Sequence, residues 1–392
     1  MADIPYSRQW IEQEDIDAVE AVMRSERITQ GPAIVEFEQA LARSCGTAGA
    51  VAVSNGTAAL HLACLASGVG PGWEVITSPI SFVASANCAL YCGARPAFVD
   101  IESSTITLDP EKLDDYLRRA PSSAQRVVLP VHFAGHPCRM DDIRAVAARH
   151  GAVVIEDAAH ALSARWRDAH GIWRTVGSGS HGRMTTFSFH PVKHITTGEG
   201  GAVLSNDTEA LDRIRILRSH GITNDPDRIA RGQGPWYYEM QALGFNYRIT
   251  DMQCALGLRQ LARLDRIVAR RREIAHRYTA ALRDCDTIVL PLEREGAESS
   301  FHLYAIRIKL DRIRRTRQEV VEELAKRDIR TQVHYIPIHL QPYYRTHLGF
   351  KEGDFPVAER YYGQALSIPL YPAMTDEQVE HVIRSVKQVM AG

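Results

Sequence analysis

Along the first 160 residues, apolar positions with helical spacing alternate with short continuous apolar runs, and this order predicts a layered α/β fold. Stretches with helical spacing of apolar residues alternate with short apolar runs bounded by Gly, Pro, Ser or Asn. The predicted strands are 49–53, 74–77, 96–99, 126–131 and 152–156, and the predicted helices are 13–24, 34–44, 57–67, 81–92 and 140–150. This alternation predicts a mostly parallel central sheet that is flanked by helices on both faces.

The pattern changes in the rest of the chain and predicts a second, smaller domain. The predicted elements are strands 184–189 and 201–205, helix 207–219, a long helix over 249–284, strand 301–310, helix 316–328, strand 330–336 and a terminal helix from 376. The chain is therefore predicted to consist of a large domain with an N-terminal segment (1–250), a connecting helix (251–284) and a small C-terminal α+β domain (285–392).

Composition and charge exclude several classes of partner. The 392 residues are 45% hydrophobic and 24% charged with a formal net charge of −1, so the chain has no global attraction for nucleic acid or anionic membranes. No apolar run approaches the ~18 residues of a membrane span, and the seven cysteines form no C-x-x-C pair. We therefore expect a cytoplasmic protein with reduced thiols. Arginines crowd 259–272 with helical spacing, which predicts a solvated helix face.

Lysine is scarce, and one lysine stands in an unusual place. Six of the 46 basic residues are lysines, and Lys193 is the sole lysine between residues 113 and 308. It lies in the polar loop between strands 184–189 and 201–205. A lysine can deprotonate and act as a primary amine, as Schiff-base chemistry requires, whereas an arginine cannot. A loop lysine is ordinarily a solvated surface group, so its neighbours in the fold decide between the two interpretations.

Asp157 and His160 follow the apolar strand 152–156. Ligands of open α/β sheets bind at the carboxyl ends of strands, where Asp157 is expected. Asp157 is either a helix N-cap or an anion that keeps a cofactor ring nitrogen protonated, so that the ring can accept electrons. His160 lies one turn further along and either contacts the same ligand or packs as a core histidine.

Four further residues have the chemistry of a phosphate and ring site. Gly56 and Thr57 begin a helix after a strand, where free backbone amides favour a phosphate, although a plain strand–helix turn has the same pattern. Ser188 lies five residues before Lys193, so its hydroxyl could reach the same cavity, although a serine at a strand end is commonly solvated. Phe82 could stack on a flat ring or belong to the core.

Six segments in this order resemble one family. They are SNGTAAL (54–60), TSPISFVASAN (77–87), EDAAHALSA (156–164), SFHPVKHITTGEGGAV (188–203), RSHGI (218–222) and GFNYRITDMQCALGL (244–258). Together they resemble the DegT/DnrJ/EryC1/StrS aminotransferases, over residues 5–390. The resemblance implies the type I pyridoxal-phosphate transferase fold and amino transfer to a nucleotide-linked sugar.

The resemblance also implies a role for each site residue. Lys193 matches the lysine that bonds the cofactor aldehyde, and Asp157 matches the residue that faces the pyridine nitrogen. Phe82 matches the aromatic on the ring, and His160 the histidine beside it. The implied phosphate ligands are Gly56, Thr57, Ser188 and, from the neighbouring subunit, Asn246. The implied sugar contacts are Tyr6, Thr29, His334 and Tyr335. A homodimer with shared sites is therefore expected.

The resemblance extends to substrates. Segments IPYS (4–7), ITQGP (28–32) and QVHYIPIHLQPYY (332–344) look most like the transaminases of pseudaminic acid biosynthesis. These aminate C4 of a UDP-linked 2-acetamido-2,6-dideoxy-4-keto-hexose, with L-glutamate as the usual family donor and pyridoxamine phosphate as the amino-carrying form. A sibling enzyme that makes another amino sugar, such as perosamine or a 3-amino sugar, is the alternative. Some relatives carry histidine at the lysine position and act as dehydratases, but lysine is present here.

Three other classes compete on isolated motifs. His132, His136 and Cys138 offer two histidines and a thiol to a metal, but no fourth ligand is evident, so no metal is predicted. The segment TGEGGAV (197–203) has the glycines of a dinucleotide site, but it lies between two strands instead of between a strand and a helix. A non-catalytic regulator on the same fold would not need the lysine and the aspartate.

Overall fold

The strands form one large sheet and three small ones in the computed structural model, which describes residues 3–121, 124–230 and 234–391. The strands are β1 (Gly49–Val53), β2 (Trp73–Thr77), β3 (Arg95–Phe98), β4 (Gln125–Leu129), β5 (Val153–Asp157), β6 (Arg165–Arg167), β7 (Trp173–Thr175), β8 (Met184–Ser188), β9 (Gly201–Ser205), β10 (Ile222–Thr223), β11 (Glu239–Met240), β12 (Ile288–Val289), β13 (Ala297–Glu298), β14 (Tyr304–Ile308) and β15 (Ala365–Ile368). The helices are α1 (Gln13–Met23), α2 (Pro32–Cys45), α3 (Gly56–Ala66), α4 (Ala84–Tyr91), α5 (Pro110–Arg119), α6 (Met140–Arg149), α7 (Thr208–Leu217), α8 (Asp251–Ala262), α9 (Leu264–Leu282), α10 (Arg317–Ala325), α11 (Pro342–Leu348), α12 (Pro356–Gln364) and α13 (Asp376–Ala391).

The large sheet has seven strands in the order β1-β9-β8-β5-β4-β2-β3. Strand β9 pairs antiparallel with both of its neighbours, and the pairs from β8 to β3 are parallel. Six of the seven strands therefore point the same way, which confirms the predicted mostly parallel sheet. Their carboxyl ends meet at one edge, where a ligand site is expected.

Alternating burial along the strands explains why helices cover both faces of this sheet. In β1, Ala50 and Ala52 belong to one hydrophobic core, whereas Val51 and Val53 belong to a second core. Successive side chains of a strand point to opposite faces, so a strand that is apolar throughout needs a cover on each side. Helices α2 and α6 contribute to the first core, and α3, α4 and α7 to the second.

The C-terminal part has a core of its own. Strands β12, β14 and β15 form an antiparallel sheet, and α10, α13 and the second half of α9 pack on it. Ile4 of the N-terminal segment joins this core and pairs with Ile329. The domain boundaries near residues 250 and 284 stay a prediction, which this separate core supports.

Three predicted elements of this region are wrong in detail. The long helix over 249–284 is two helices, α8 and α9, separated at Arg263. The segment 330–336 is not a strand, because it makes a single bridge from Gln332 to Ser367 before it turns toward the large sheet. The strand predicted from 301 begins at Tyr304, because Phe301 has a left-handed backbone (φ 45°) and bends the chain just before it.

The arginine-rich stretch is not uniformly solvated, which corrects the predicted solvated face. Arg271 is fully buried, whereas the side chain of Arg266 is 57% exposed and pairs with Glu12. Within the three described ranges, no helix is long and apolar enough to cross a bilayer.

Candidate active site

A cavity of about 770 Å³ opens at the carboxyl edge of the large sheet, a volume typical of small-molecule sites. The loops that follow β1, β2, β5 and β8 supply most of its wall, and residues of the N-terminal segment and the C-terminal part complete it. The predicted site residues that line it are Tyr6, Gly56, Thr57, Phe82, Asp157, His160, Ser188, Lys193, His334 and Tyr335. Residues spread over 330 positions of sequence thus converge on one cavity.

Asp157 is buried at the end of β5 and is held on both of its oxygens. Its Oδ2 accepts a hydrogen bond from Ser85 Oγ at 2.6 Å, and its Oδ1 accepts from the backbone N–H of Ala159 at 3.1 Å. Ser85 is itself 2.6 Å from Ser81 Oγ. The carboxylate is therefore oriented by the first turn of α4 and by its own turn, instead of capping a long helix.

Lys193 lies in the loop between β8 and β9, with its amine inside the cavity wall. Its Nζ is 3.5 Å from Nε2 of His302. Burial lowers the pKa of Lys193 to about 8; the Asp157 carboxylate acts in the opposite direction, and the charge of Arg271 lowers the pKa further. About a tenth of this amine is therefore neutral at pH 7, far more than for an ordinary lysine, and the neutral form is the nucleophile.

Imidazoles surround the lysine. His160 donates or accepts at Nε2 with the Tyr335 hydroxyl at 3.1 Å, and its ring centroid is 4.3 Å from that of His302. Burial, with the nearby Lys193 as a second cause, lowers the pKa of both histidines well below the ordinary value. Both rings are therefore neutral, so they can donate or accept hydrogen bonds and add no positive charge beside the lysine.

The start of α3 has free backbone donors next to a hydroxyl. Asn55 caps the helix by accepting from the N–H of Ala58 at 2.8 Å, which leaves the amides of Gly56 and Thr57 without helical partners. A Cβ on Gly56 would lie 2.9 Å from Cβ of Ser188, so glycine is required for this close approach. The two amides and the Ser188 hydroxyl therefore converge as a cradle for an anion.

Two predicted site residues lie elsewhere. Asn246 and Thr29 are exposed and do not line the cavity of their own chain. Asn246 pairs with Ser219, and Thr29 pairs with Thr250, both through the backbone. Any role in the site would have to be played in the cavity of a second copy.

The sequence analysis missed two residues that contact the site residues. Ser85 belongs to a recognised motif, but nothing in its spacing indicated that it would meet Asp157. His302 precedes a strand in the C-terminal part and reaches Lys193 because residues 300–302 fold back onto residues 134–135. Gly135 permits this approach, since a Cβ there would lie 2.8 Å from the Phe301 nitrogen.

The residues of the metal hypothesis do not form a metal site. His132 Nε2 is 2.9 Å from Glu156, and its Nδ1 accepts the N–H of Cys138. His136 instead accepts the N–H of Arg294. Among the described residues, no group of three or more potential ligands converges. The glycines of TGEGGAV run directly into β9, so the dinucleotide interpretation also lacks its helix.

Comparison with known proteins gives the family. The model of the DegT/DnrJ/EryC1/StrS aminotransferase family matches residues 9–387. The chain belongs to this family. It is 41% identical over 390 residues to the Bacillus subtilis spore coat polysaccharide biosynthesis protein SpsC, covering 99% of this chain and 97% of SpsC.

Solved structures agree with this assignment. Helicobacter pylori PseC, an aminotransferase involved in pseudaminic acid biosynthesis, superposes with a TM-score of 0.89 at 29% identity and 99% coverage of both chains. The putative sugar aminotransferase Spr1654 of Streptococcus pneumoniae is 31% identical over 99% of both chains, with TM-scores of 0.88 for its pyridoxal-phosphate form and 0.90 for its pyridoxamine-phosphate form. The chain is therefore a pyridoxal-phosphate-dependent sugar aminotransferase with the type I fold.

The cavity of this chain suits that cofactor. The cradle at Gly56, Thr57 and Ser188 offers donors to a phosphate, and Lys193 offers an amine to an aldehyde. The buried Asp157 offers an anion to a protonated ring nitrogen, and the exposed face of Phe82 (58% exposed) offers a flat apolar surface to the ring. These are the groups that pyridoxal phosphate needs.

Proposed function

We propose that this aminotransferase moves an amino group from L-glutamate to C4 of a UDP-linked 2-acetamido-2,6-dideoxy-4-keto-hexose, with Lys193 as the catalytic lysine. The observation that carries the catalytic part is one cavity that contains a partly neutral lysine, a buried oriented carboxylate and an anion cradle. The sugar and the donor rest on the family resemblance and on the likeness to PseC.

The proposed division of labour follows from the chemistry of each side chain. When bound, pyridoxal phosphate supplies an aldehyde and an electron-accepting ring. Lys193 would hold the cofactor at its aldehyde, and its Nζ would be the group that takes the proton from the α-carbon of the donor and returns one to the sugar carbon. Asp157 holds a proton at the ring nitrogen, and Ser85 orients Asp157. Gly56, Thr57 and Ser188 anchor the phosphate, while Phe82 and His160 fix the ring.

The sugar end of the cavity is proposed to lie toward Tyr6, His334 and Tyr335. The Tyr6 and His334 rings are 5.3 Å apart, and the Tyr335 hydroxyl bonds His160. Burial lowers the pKa of His334 to about 4, with the charge of Lys193 as a further cause, so this imidazole is neutral. A neutral imidazole and two phenols suit the hydroxyls of a sugar ring better than a charged group would.

A sibling specificity is the second candidate. SpsC, the 41% identical relative, is named for spore coat polysaccharide biosynthesis and not for pseudaminic acid. This favours testing other nucleotide-linked keto-sugars, including precursors of perosamine and of 3-amino sugars.

A substrate panel tests the proposal. We expect purified enzyme with L-glutamate to convert the UDP-linked 4-keto-hexose at least about tenfold more efficiently than GDP- or dTDP-linked keto-sugars, a preference worth about 1.4 kcal/mol. Products are identified by mass spectrometry and by the position of the new amine in NMR spectra. Preference for another keto-sugar, or amination at C3, would mean that the enzyme makes a different amino sugar and that the proposed C4 amination is wrong. L-Aspartate and L-alanine serve as donor controls.

We also propose a homodimer with shared active sites. The cavity has no arginine among the described residues that line it, although a nucleotide diphosphate and a dicarboxylate donor need cationic or amide partners. Four exposed apolar side chains lie within the ten residues that precede Asn246 in the sequence, and exposed apolar surface is typical of protein interfaces. They are Trp236, Tyr238, Met240 and Leu243. Asn246 is proposed to reach the phosphate in the cavity of the partner.

Subunit mixing tests the shared site. Lys193→Ala and Asn246→Ala should each be impaired as homodimers. Mixed under exchange conditions, half of the dimers become heterodimers in which one site has both native residues, so activity should recover to roughly a quarter of wild type. Lys193→Ala mixed with Asp157→Asn is the matched control, because both changes lie in the same cavity and each heterodimer site keeps one defect. Equal recovery in the two mixtures would rule out the proposed role of Asn246.

A cytoplasmic location stays part of the proposal. All seven cysteines are free thiols, and six of them are buried, which suits a reducing compartment.

A further inference from the structure

Arg271 is a buried cation that forms no ion pair with any carboxylate of the described residues. It lies in the apolar stripe of α9, together with Ile267, Ile274 and Tyr278, and has no exposed surface. Its Nη1 donates to the carbonyls of Phe301, His302 and Leu370, at 3.3, 3.2 and 3.0 Å. Its Nε and Nη2 have no hydrogen-bond partner among the described residues. Arginines are rarely buried unless they are paired.

Stability does not explain this residue. A buried charge carries a desolvation cost, and apolar residues of similar size replace buried ionic groups with neutral or favourable effects. An arginine amid Ile267, Ile274 and Tyr278 is therefore a cost to folding that another role must offset. Burial lowers its pKa to about 10, so the guanidinium stays protonated at neutral pH.

The position of the cation connects it to the active site. Arg271 bonds the carbonyl of His302, and Nε2 of His302 lies 3.5 Å from Nζ of Lys193. The same segment, residues 300–302, is held on its other side by residues 134–135. The guanidinium thus holds the backbone of the residue whose imidazole contacts the lysine.

We propose that Arg271 is a positioning residue for Lys193, whose uncompensated charge favours the neutral form of the lysine amine and whose bonds to the backbone fix His302 against that amine. This proposal rests on the catalytic role proposed for Lys193. It adds a residue that never enters the cavity, because Arg271 does not line it.

The charges around Lys193 support this assignment. The titratable groups that interact with it are Asp157, His160, His190, His194, Arg271, His302 and His334. The five histidines all have a lowered pKa, chiefly through burial, and are neutral. Burial is the largest cause of the lowered pKa of the lysine; Asp157 raises this pKa, and Arg271 is the charged group that acts against Asp157.

The test measures the titration of Lys193 without any catalytic step. Full-length apoprotein is labelled with isotopic acetic anhydride from about pH 6 to pH 11, and peptide mass spectrometry gives the half-labelling pH of each lysine. We expect Lys193 to titrate near pH 8 in the wild type. Arg271→Met should raise that value by about one unit, a tenfold loss of neutral amine at pH 7. Lys309 and Lys326 should not change.

Two further variants make the result decisive. Arg266→Met removes an exposed, carboxylate-paired cation from the same helix and should leave Lys193 unchanged. Arg271→Gln keeps an N–H donor for the backbone carbonyls but removes the charge, so it should raise the half-labelling pH by about one unit, as Arg271→Met does. It serves even if Arg271→Met does not fold. A wild-type titration for Lys193 in Arg271→Met or in Arg271→Gln would overturn the proposal.

This outcome is separate from that of the proposed function. If Lys193 has the same half-labelling pH in Arg271→Met as in the wild type, Arg271 has no positioning role, and the proposed catalytic role of Lys193 still stands. If Lys193→Ala is active, the proposed catalytic role of Lys193 is wrong, but the measured effect of Arg271 on the titration of Lys193 still stands.

Discussion

Lys193→Ala is expected to lose turnover by about 10⁴-fold, the upper end of what a positioned general acid–base supplies, because it also loses the covalent attachment. Cofactor should still bind through the phosphate cradle at Gly56, Thr57 and Ser188, which the substitution does not touch. The visible absorbance of the lysine-bound cofactor should disappear, while a shorter-wavelength band of the free aldehyde remains. Steady-state kinetics and absorbance spectra measure both effects.

Two controls separate the nucleophile from the charge. Lys193→Arg keeps a cation but cannot form the bond, so we expect it to be as inactive as Lys193→Ala. Lys309→Ala changes a lysine whose Nζ donates to the carbonyl of Asp286 on the surface, and it should have wild-type activity. A Lys193→Ala enzyme that turns over at the wild-type rate would end the assignment.

Asp157→Asn is the second large effect, with kcat expected to fall by about 10²–10³-fold, as for the loss of one preorganised electrostatic group. Asparagine keeps the size and an oxygen that can accept from Ser85, so the fold and cofactor binding should persist. What is lost is the anion that holds a proton at the ring nitrogen. Thermal melting and cofactor titration check the fold, and kcat reports the chemistry.

Ser85→Ala provides the matched comparison. It removes the 2.6 Å bond to Oδ2 but leaves the charge and the bond from Ala159, so the loss should be about tenfold or less. A Ser85→Ala enzyme as impaired as Asp157→Asn would mean that orientation matters more than charge. Near-normal activity of Asp157→Asn would contradict the electron-sink role.

The large sheet could be predicted because its pattern is local. Strands such as β1 and β5 are short apolar runs with a turn signal at each end, and each lies within one residue of its predicted bounds. The carboxyl-edge rule then places Asp157 and the loop of Lys193 at the same edge of the sheet. Fold class and the main cavity residues were therefore accessible from sequence patterns and from the resemblance to the family.

What could not be predicted depends on long-range contacts. The segment 330–336 has strand-like residues, but it forms one β-bridge, with Ser367, and then carries His334 and Tyr335 into the cavity. His302 contacts Lys193, and Arg271 contacts His302, only through tertiary folding, which the spacing of apolar residues does not reveal. Arg271 was predicted to be solvated because helical spacing of arginines usually marks a surface, and tertiary packing overrode that pattern.

Reduction of the intact holoenzyme with borohydride, followed by peptide mapping, tests the central claim most directly. Borohydride fixes the cofactor to whichever amine it has bonded, and the chain offers only six lysines. The account predicts a phosphopyridoxyl group on the peptide that contains Lys193, and on no other lysine peptide. The same label on a different lysine, or no label in enzyme that turns over, would contradict it.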